Sequence, residues 1–210
     1  MRRLLLVVLA TAAFAVGTAA AAAPSPVLLH PSKLRAKAPS VFRARFMTTK
    51  GSFVVTVYRA WAPRGADRFY NLVRAGFYDG DRLFRVLPGF VVQFGISPSP
   101  KVSKAWQNAD IPDDPVRHSN IPGTISFATA GPNTRTTQVF VNLGSNSRLD
   151  SYGFAPFGRV TSDMTAIAKL YHGYGEGPSQ AQQQLAERGD AFVRKTFPKL
   201  DRILKARIVR

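Results

Sequence analysis

Apolar and polar residues alternate with period two in short runs along most of this chain, and a helical period surfaces only twice. Residues 42–48 (FRARFMT) and 52–58 (SFVVTVY) are rich in aromatic and β-branched types, and Lys50-Gly51 between them signals a hairpin. In WAPRGADRFYNLVRAG, Ala66, Phe69, Leu72 and Val73 recur at helical spacing, and Gly76 stands where a helix-ending glycine belongs. Core packing is a sufficient role for that stripe. Strand signals return at 83–87, 90–95, 124–129, 138–143, 156–160 and 202–209. A second helix is expected from Ser162 or Asp163 through Met164, Ile167, Ala168 and Leu170 to Gly173. Residues 96–122, dense in Pro, Ser and Asp, read as a long loop, and 174–200, opening GYGEGPS, as a polar and partly helical insert. About eight short strands with two or three helices and no βαβ repetition predict a mainly β fold: a closed eight-stranded antiparallel barrel with helices over its ends.

The first residues change the expected compartment. Arg2 and Arg3 precede an apolar run from Leu4 to about Val16, then small residues through Ala23. That is the pattern of a secretory signal peptide, and the run is shorter than the ~20 residues a membrane span needs. The expected organisation is a signal peptide over 1–23, a proline-rich basic linker over 24–40, and one domain over 41–210 working in the periplasm or outside the cell. The chain has no cysteine, which excludes disulfides, thiolate zinc sites, a cysteine nucleophile and a lipidated N-terminal cysteine. The net charge is +17, and without Arg2 and Arg3 there remain 27 basic against 12 acidic residues. This allows weak binding to anionic surfaces, but the basic residues are spread out, with no run that would mark a nucleic-acid tail.

Hydrolytic chemistry finds few parts. His30, His118 and His172 are not at metal-ligand spacing, GxSxG and Walker-type loops are absent, and Asp113-Asp114 reads as a solvated turn. GYGEG lacks the strand, lysine and helix start that would hold phosphate. What remains is LFRVLPGFVVQFG, 83–95, apolar almost throughout yet carrying Arg85 and Gln93. A guanidinium cannot lose its charge, so Arg85 either points to water or serves a site that needs a fixed cation. Val91 and Gln93 share a strand face, as do Gln138 and Phe140 of TQVFVN. Faces of this kind are commonly half-buried surface, and the residues by themselves leave the choice open.

LFRVLPGFVVQFG (83–95) and PGTISFATAGPNTRTTQVFVNL (122–143) resemble the two signature blocks of cyclophilin-type peptidyl-prolyl isomerases. The resemblance continues through GADRFYNLV (65–73), GFYDGD (76–81) and LDSYGFAPFGRV (149–160), covering roughly 42–173 and the last strand, and looks like a bacterial exported branch. It implies an eight-stranded antiparallel barrel capped by two helices, with the active site in a groove outside the barrel. It places the catalytic arginine on Arg85 and the residue that orders it and contacts substrate on Gln93. Phe90, Val91, Phe140, Leu149 and Phe154 fall on proline-pocket positions, and Gln138, Ala128 and Thr129 on positions that grip the substrate backbone. The implied substrates are X-Pro bonds of exported or unfolded polypeptides, turned over by a monomer that needs no metal or cofactor.

This sequence departs from the family in ways that carry expectations. Val91 replaces a common methionine, making a slightly shallower pocket, and Phe84 replaces a common histidine with little effect expected. Thr129 replaces an asparagine, Phe154 a histidine, and Arg148 stands where cyclosporin-sensitive members have tryptophan. Catalysis should persist and cyclosporin affinity fall. Two other readings stay open: a non-catalytic module that holds proline segments in the cell envelope, and a binder of anionic polymers.

Overall fold

The computed structural model describes residues 24–162 and 164–210. The expected signal peptide and Asp163 lie outside the described residues. Eight strands form one antiparallel sheet: β1 (Val41–Thr48), β2 (Gly51–Tyr58), β3 (Arg85–Leu87), β4 (Val91–Phe94), β5 (Thr124–Phe127), β6 (Val139–Asn142), β7 (Pro156–Val160) and β8 (Ile203–Val209). Their order is β3-β4-β6-β5-β7-β2-β1-β8. The sheet curls until its edges approach at one isolated bridge, Arg82 with Arg202. There the Leu83 N–H reaches the Asp201 carbonyl and the Ile203 N–H the Asp81 carbonyl. The closed barrel expected from the sequence therefore takes the form of a curled sheet whose edge strands share no ladder; β3, three residues long, is too short to pair fully on both sides.

Period-two alternation sorts the strands into two faces. Val86, Val92, Phe94, Ile125, Phe127, Val139 and Val141 point into the main core, where the rings of Phe46, Phe53, Phe69, Tyr78 and Phe157 interlock. The alternate positions, Arg85, Val91, Gln93, Phe140 and Ser126, belong to the other face. α1 (Pro63–Ala75) buries Ala66, Phe69, Leu72 and Val73 against the core and ends at Gly76, as its spacing predicts.

Several connections differ from expectation. Residues 24–40 are no free linker: Leu28 is buried, its carbonyl accepts the indole N–H of Trp106, and Asn71 and Asp67 of α1 bond the backbone of Ala36 and Ala38. The loop 96–122 contains a helix, α2 (Pro100–Trp106), whose Val102 and Trp106, four apart, supply a buried face. The second predicted helix shrinks to α3 (Thr165–Ala168), and the Ser162 hydroxyl accepts the N–H of Val54 on β2 in place of capping it. Residues 174–200 hold α4 (Gly177–Gln180) and α5 (Gln182–Thr196), the latter broken at Gly189. Asp114 is buried as well, not in a solvated turn. Its carboxylate accepts the N–H groups of Arg64 and Gly65 at the start of α1 and pairs with Arg135 at 3.1 Å. Among the described residues no helix is long and apolar enough to cross a membrane.

Candidate active site

Strand register builds the site. Arg85 on β3 is paired with Gln93 on β4, Gln93 with Phe140 on β6, and Phe140 with Ser126 on β5, so one row crosses four strands on the outer face of the sheet. Gly95 makes the approach of β4 to β6 possible. Its φ is +118° and a Cβ there would lie 2.5 Å from the Gln138 Cα and from the Thr137 carbonyl oxygen, so only glycine fits.

The polar part of the row is a directed chain. Arg85 Nη1 donates to Gln93 Oε1 at 3.3 Å, Gln93 Nε2 to Gln138 Oε1 at 2.9 Å, and Gln138 Nε2 to Gln182 Oε1 at 3.0 Å. The other edge of the guanidinium is held by Glu176: Nε donates to Oε2 at 2.9 Å and Nη2 to Oε1 at 2.5 Å. Ser179 donates its hydroxyl to the same carboxylate. The hydrogen bond from Arg85 keeps the Glu176 carboxyl below its ordinary range, outweighing the opposing effect of burial.

The apolar part lies beside it. The Arg85 guanidinium carbon stands 5.2 Å from the centre of the Phe90 ring and that of Arg148 5.3 Å, so two cations flank one aromatic. Phe140 and Phe154 meet edge to face at 5.6 Å. Val91 is buried and Leu149 half-buried in the short 3-10 helix over 147–152. Three buried asparagines, absent from the sequence-based assignment, support this wall. Asn120 bonds the Phe154 carbonyl and Ser126, Asn142 bonds Asn120, and Asn146 bonds the Phe90 carbonyl. Nothing in their spacing marks them, because their partners come from four separate segments.

The predicted residues are thus mostly brought together: Arg85, Gln93, Phe90, Phe140, Phe154 and Gln138 are joined by direct contacts. Ala128 is tied in through its N–H to the Gln138 carbonyl at 2.9 Å. The Thr129 side chain is turned into its own loop, bonding the Gly131 carbonyl and Thr134. Glu176, Ser179 and Gln182 carry no mark in the sequence, where GYGEG offers itself only as a phosphate loop. Phe84 serves packing: it is buried with Leu185, Val193 and Leu200 in a second apolar cluster beneath the 174–200 segment.

Comparison with known proteins bears on the family and the fold. The family model for cyclophilin type peptidyl-prolyl cis-trans isomerase/CLD matches residues 43–187. The chain is 32% identical over 126 residues to peptidyl-prolyl cis-trans isomerase ppi1 of Schizosaccharomyces pombe, covering 59% of this chain and 81% of that one. It is 33% identical over 134 residues to peptidyl-prolyl cis-trans isomerase A of Dickeya dadantii, covering 59% and 67%. The fold is shared with the crystal structure of a cyclophilin type peptidyl-prolyl cis-trans isomerase from Cryptosporidium parvum, at a TM-score of 0.58 and 17% identity, covering 81% of this chain and 98% of that one. The protein belongs to the cyclophilin-type peptidyl-prolyl cis-trans isomerase family.

Proposed function

We propose that this protein is a peptidyl-prolyl cis-trans isomerase whose catalytic group is Arg85. An X-Pro bond turns slowly because amide resonance must be lost, at a barrier near ~20 kcal/mol. No nucleophile, metal or proton relay is required; the twisted state must be bound better than the planar ones. In that state the prolyl nitrogen becomes pyramidal and gains a lone pair. Arg85 donates to it. Phe90, Val91, Phe140, Leu149 and Phe154 hold the ring, and Gln138 with the backbone of Ala128 and Thr129 holds the peptide. Lowering the barrier by roughly 5–7 kcal/mol gives about 10⁴–10⁵-fold acceleration.

The observation that carries this reading is a permanently charged guanidinium, side chain 24% exposed, held by Gln93 against an aromatic wall on the outer face of the sheet. A module that only held proline segments would have no use for that cation, which disfavours the non-catalytic alternative. The groove lies outside what we read as a barrel closed at Arg82–Arg202, and the 174–200 segment as an insert on its flank. We place the protein outside the cytoplasm, acting on exported or unfolded chains, on the strength of the N-terminal pattern, and read it as a monomer from the family resemblance. Exposed Arg43, Arg45, Arg159 and Arg207 on neighbouring strands support weak binding to anionic surfaces.

The test is isomerisation of an Ala-Pro-Phe reporter peptide by the purified mature protein beside Arg85→Ala. Fast exchange that collapses in the variant is expected. Equal, negligible rates would return the protein to the non-catalytic reading.

A further inference from the structure

The guanidinium of Arg85 has five N–H donors. Glu176 takes the Nε–H and one on Nη2, and Gln93 takes one on Nη1. Two remain, one on each terminal nitrogen. A side-on carboxylate and an amide together fix both the plane of the guanidinium and its rotation, and so fix where the remaining donors point. An arginine on three flexible methylenes has no such preference of its own.

The carboxylate itself stands on a rigid platform. Phe84, Leu185, Val193 and Leu200 are buried together, with Ile96, Tyr174, Phe192 and Phe197 packed around them. Arg82 pairs with Asp190 at 2.5 Å, and the Asp190 N–H bonds the Pro98 carbonyl at 3.2 Å. At Gly189, φ +62°, a Cβ would lie 2.4 Å from that same carbonyl oxygen, so α5 is seated on the 98–100 segment as closely as backbone allows. Within the segment, Ser179 fixes the Glu176 carboxylate. Six residues beyond Glu176, Gln182 accepts from Gln138 and terminates the glutamine chain that begins at Arg85. The segment therefore grips the hydrogen-bonded chain at both ends.

We propose that Glu176 is a positioning residue for the isomerase reaction: it holds the Arg85 guanidinium in the orientation that serves the twisted prolyl bond, with Gln182 fixing the far end of the same chain. This rests on the assignment of Arg85 as the catalytic group. The opposite device, a carboxylate that masks the arginine until substrate displaces it, would need a segment free to swing away. The buried cluster and the Arg82–Asp190 pair oppose that. The ion pair is half-exposed, with side-chain exposures of 24% and 42%, so its contribution is geometric more than stabilising.

The experiment is steady-state isomerisation of the reporter peptide by the full mature chain and by Glu176→Gln, Glu176→Asp, Arg85→Ala and the double variant Arg85→Ala/Glu176→Gln. Because Glu176 acts through the transition state and not on substrate, Glu176→Gln is expected to lower kcat about tenfold with KM within about twofold. Glu176→Asp should recover part of the loss. In the Arg85→Ala background, Glu176→Gln should change nothing. An unchanged kcat in Glu176→Gln overturns the proposal, and a raised one overturns it by showing that Glu176 masks Arg85. If Glu176→Gln does not fold, Ser179→Ala, which frees the carboxylate, must lower kcat in the same direction; an unchanged rate overturns the proposal equally. An inactive wild-type protein defeats the isomerase assignment itself. An active wild type with a dead Arg85→Ala and an unaffected Glu176→Gln defeats only the role of Glu176.

Discussion

Gln93 stands directly opposite Arg85 in the β3–β4 register, its Oε1 3.3 Å from Nη1, and its own amide donates to Gln138. Among the described residues it is the one side chain that hydrogen-bonds both the cation and Gln138, just before β6. Replacing it with alanine removes a charge-assisted bond and releases one edge of the guanidinium while leaving the sheet ladder intact. Gln93→Ala should lower kcat/KM by roughly tenfold to a hundredfold, with little change in melting temperature. A large drop in melting temperature with kcat/KM preserved would make Gln93 a packing residue only.

Asp114 stabilises more than the sequence suggests. It accepts two N–H groups at the start of α1 and faces Arg135, with side-chain exposures of 1% and 3%. Asp113 lies 3.1 Å from the Arg135 Nε, though not in hydrogen-bond geometry. Asp114→Ala leaves a buried cation short of its best partner and α1 without its cap. Such a loss costs about 3–5 kcal/mol, so a fall of roughly 10 °C in melting temperature is expected by calorimetry. A shift under about 2 °C would mean that water or Asp113 replaces the pair.

How much of this is legible in the sequence can be traced residue by residue. The hairpin at Lys50-Gly51, the helix ending at Gly76 and β7 over 156–160 follow from local pattern, because period, turn chemistry and burial agree there. α2 is hidden because Pro, Ser and Asp around it argue for a loop, while its evidence, Val102 and Trp106, acts only once Leu28 arrives from 78 residues away to meet the indole. Arg85 and Gln93 are visible as polar residues in an apolar run. Glu176 is not, since a glutamate in a glycine-rich turn is ordinary until 91 residues of chain fold it onto Arg85.

Arg148 bears on inhibitor binding. Its guanidinium covers Phe90, and the family resemblance aligns it with the tryptophan of cyclosporin-sensitive members. Arg148→Trp exchanges a hydrated, exposed cation for an aromatic surface with one N–H donor. Cyclosporin affinity should rise about tenfold, the worth of one well-packed aromatic contact. Titration calorimetry on the two proteins reads it, and equal affinities would show that Arg148 does not govern cyclosporin binding.

Asp81 is fully buried, and burial pushes its carboxyl well above the usual carboxylate range. The backbone N–H groups of Gly95, Arg82 and Ile96 approach it and oppose that shift, but none completes a full hydrogen bond. The native state therefore keeps a proton that the unfolded chain releases. With the folded pKa raised, the group's contribution is fully present below its unfolded pKa and is lost as pH rises toward the folded one. Asp81→Asn removes this slope. The melting temperature of the variant relative to wild type should climb as pH rises from roughly 4, the unfolded carboxyl's range, toward the raised folded pKa. A constant difference over that range would show that Asp81 ionises alike in both states.

Arg45 on β1 is paired directly with Arg207 on β8, both exposed, with Arg43 two residues along β1 and Arg159 reached across Thr56 of β2. Among the described residues none of these four makes an ion pair with a carboxylate. Like charges directly opposite in a sheet destabilise it by a few tenths of a kcal/mol or more, roughly 0.2–1. Arg45→Glu turns repulsion into attraction and should raise the melting temperature by about 1–2 °C without changing reporter turnover, since β1 is not one of the four strands that carry the Arg85 row. The same variant should weaken binding to phosphatidylglycerol vesicles at low salt, and wild-type binding should fade as salt rises through the physiological range. Vesicle binding that ignores both salt and the substitution would remove this face as an anionic contact. A variant that is more stable and binds less would show that the patch trades folding stability for adhesion.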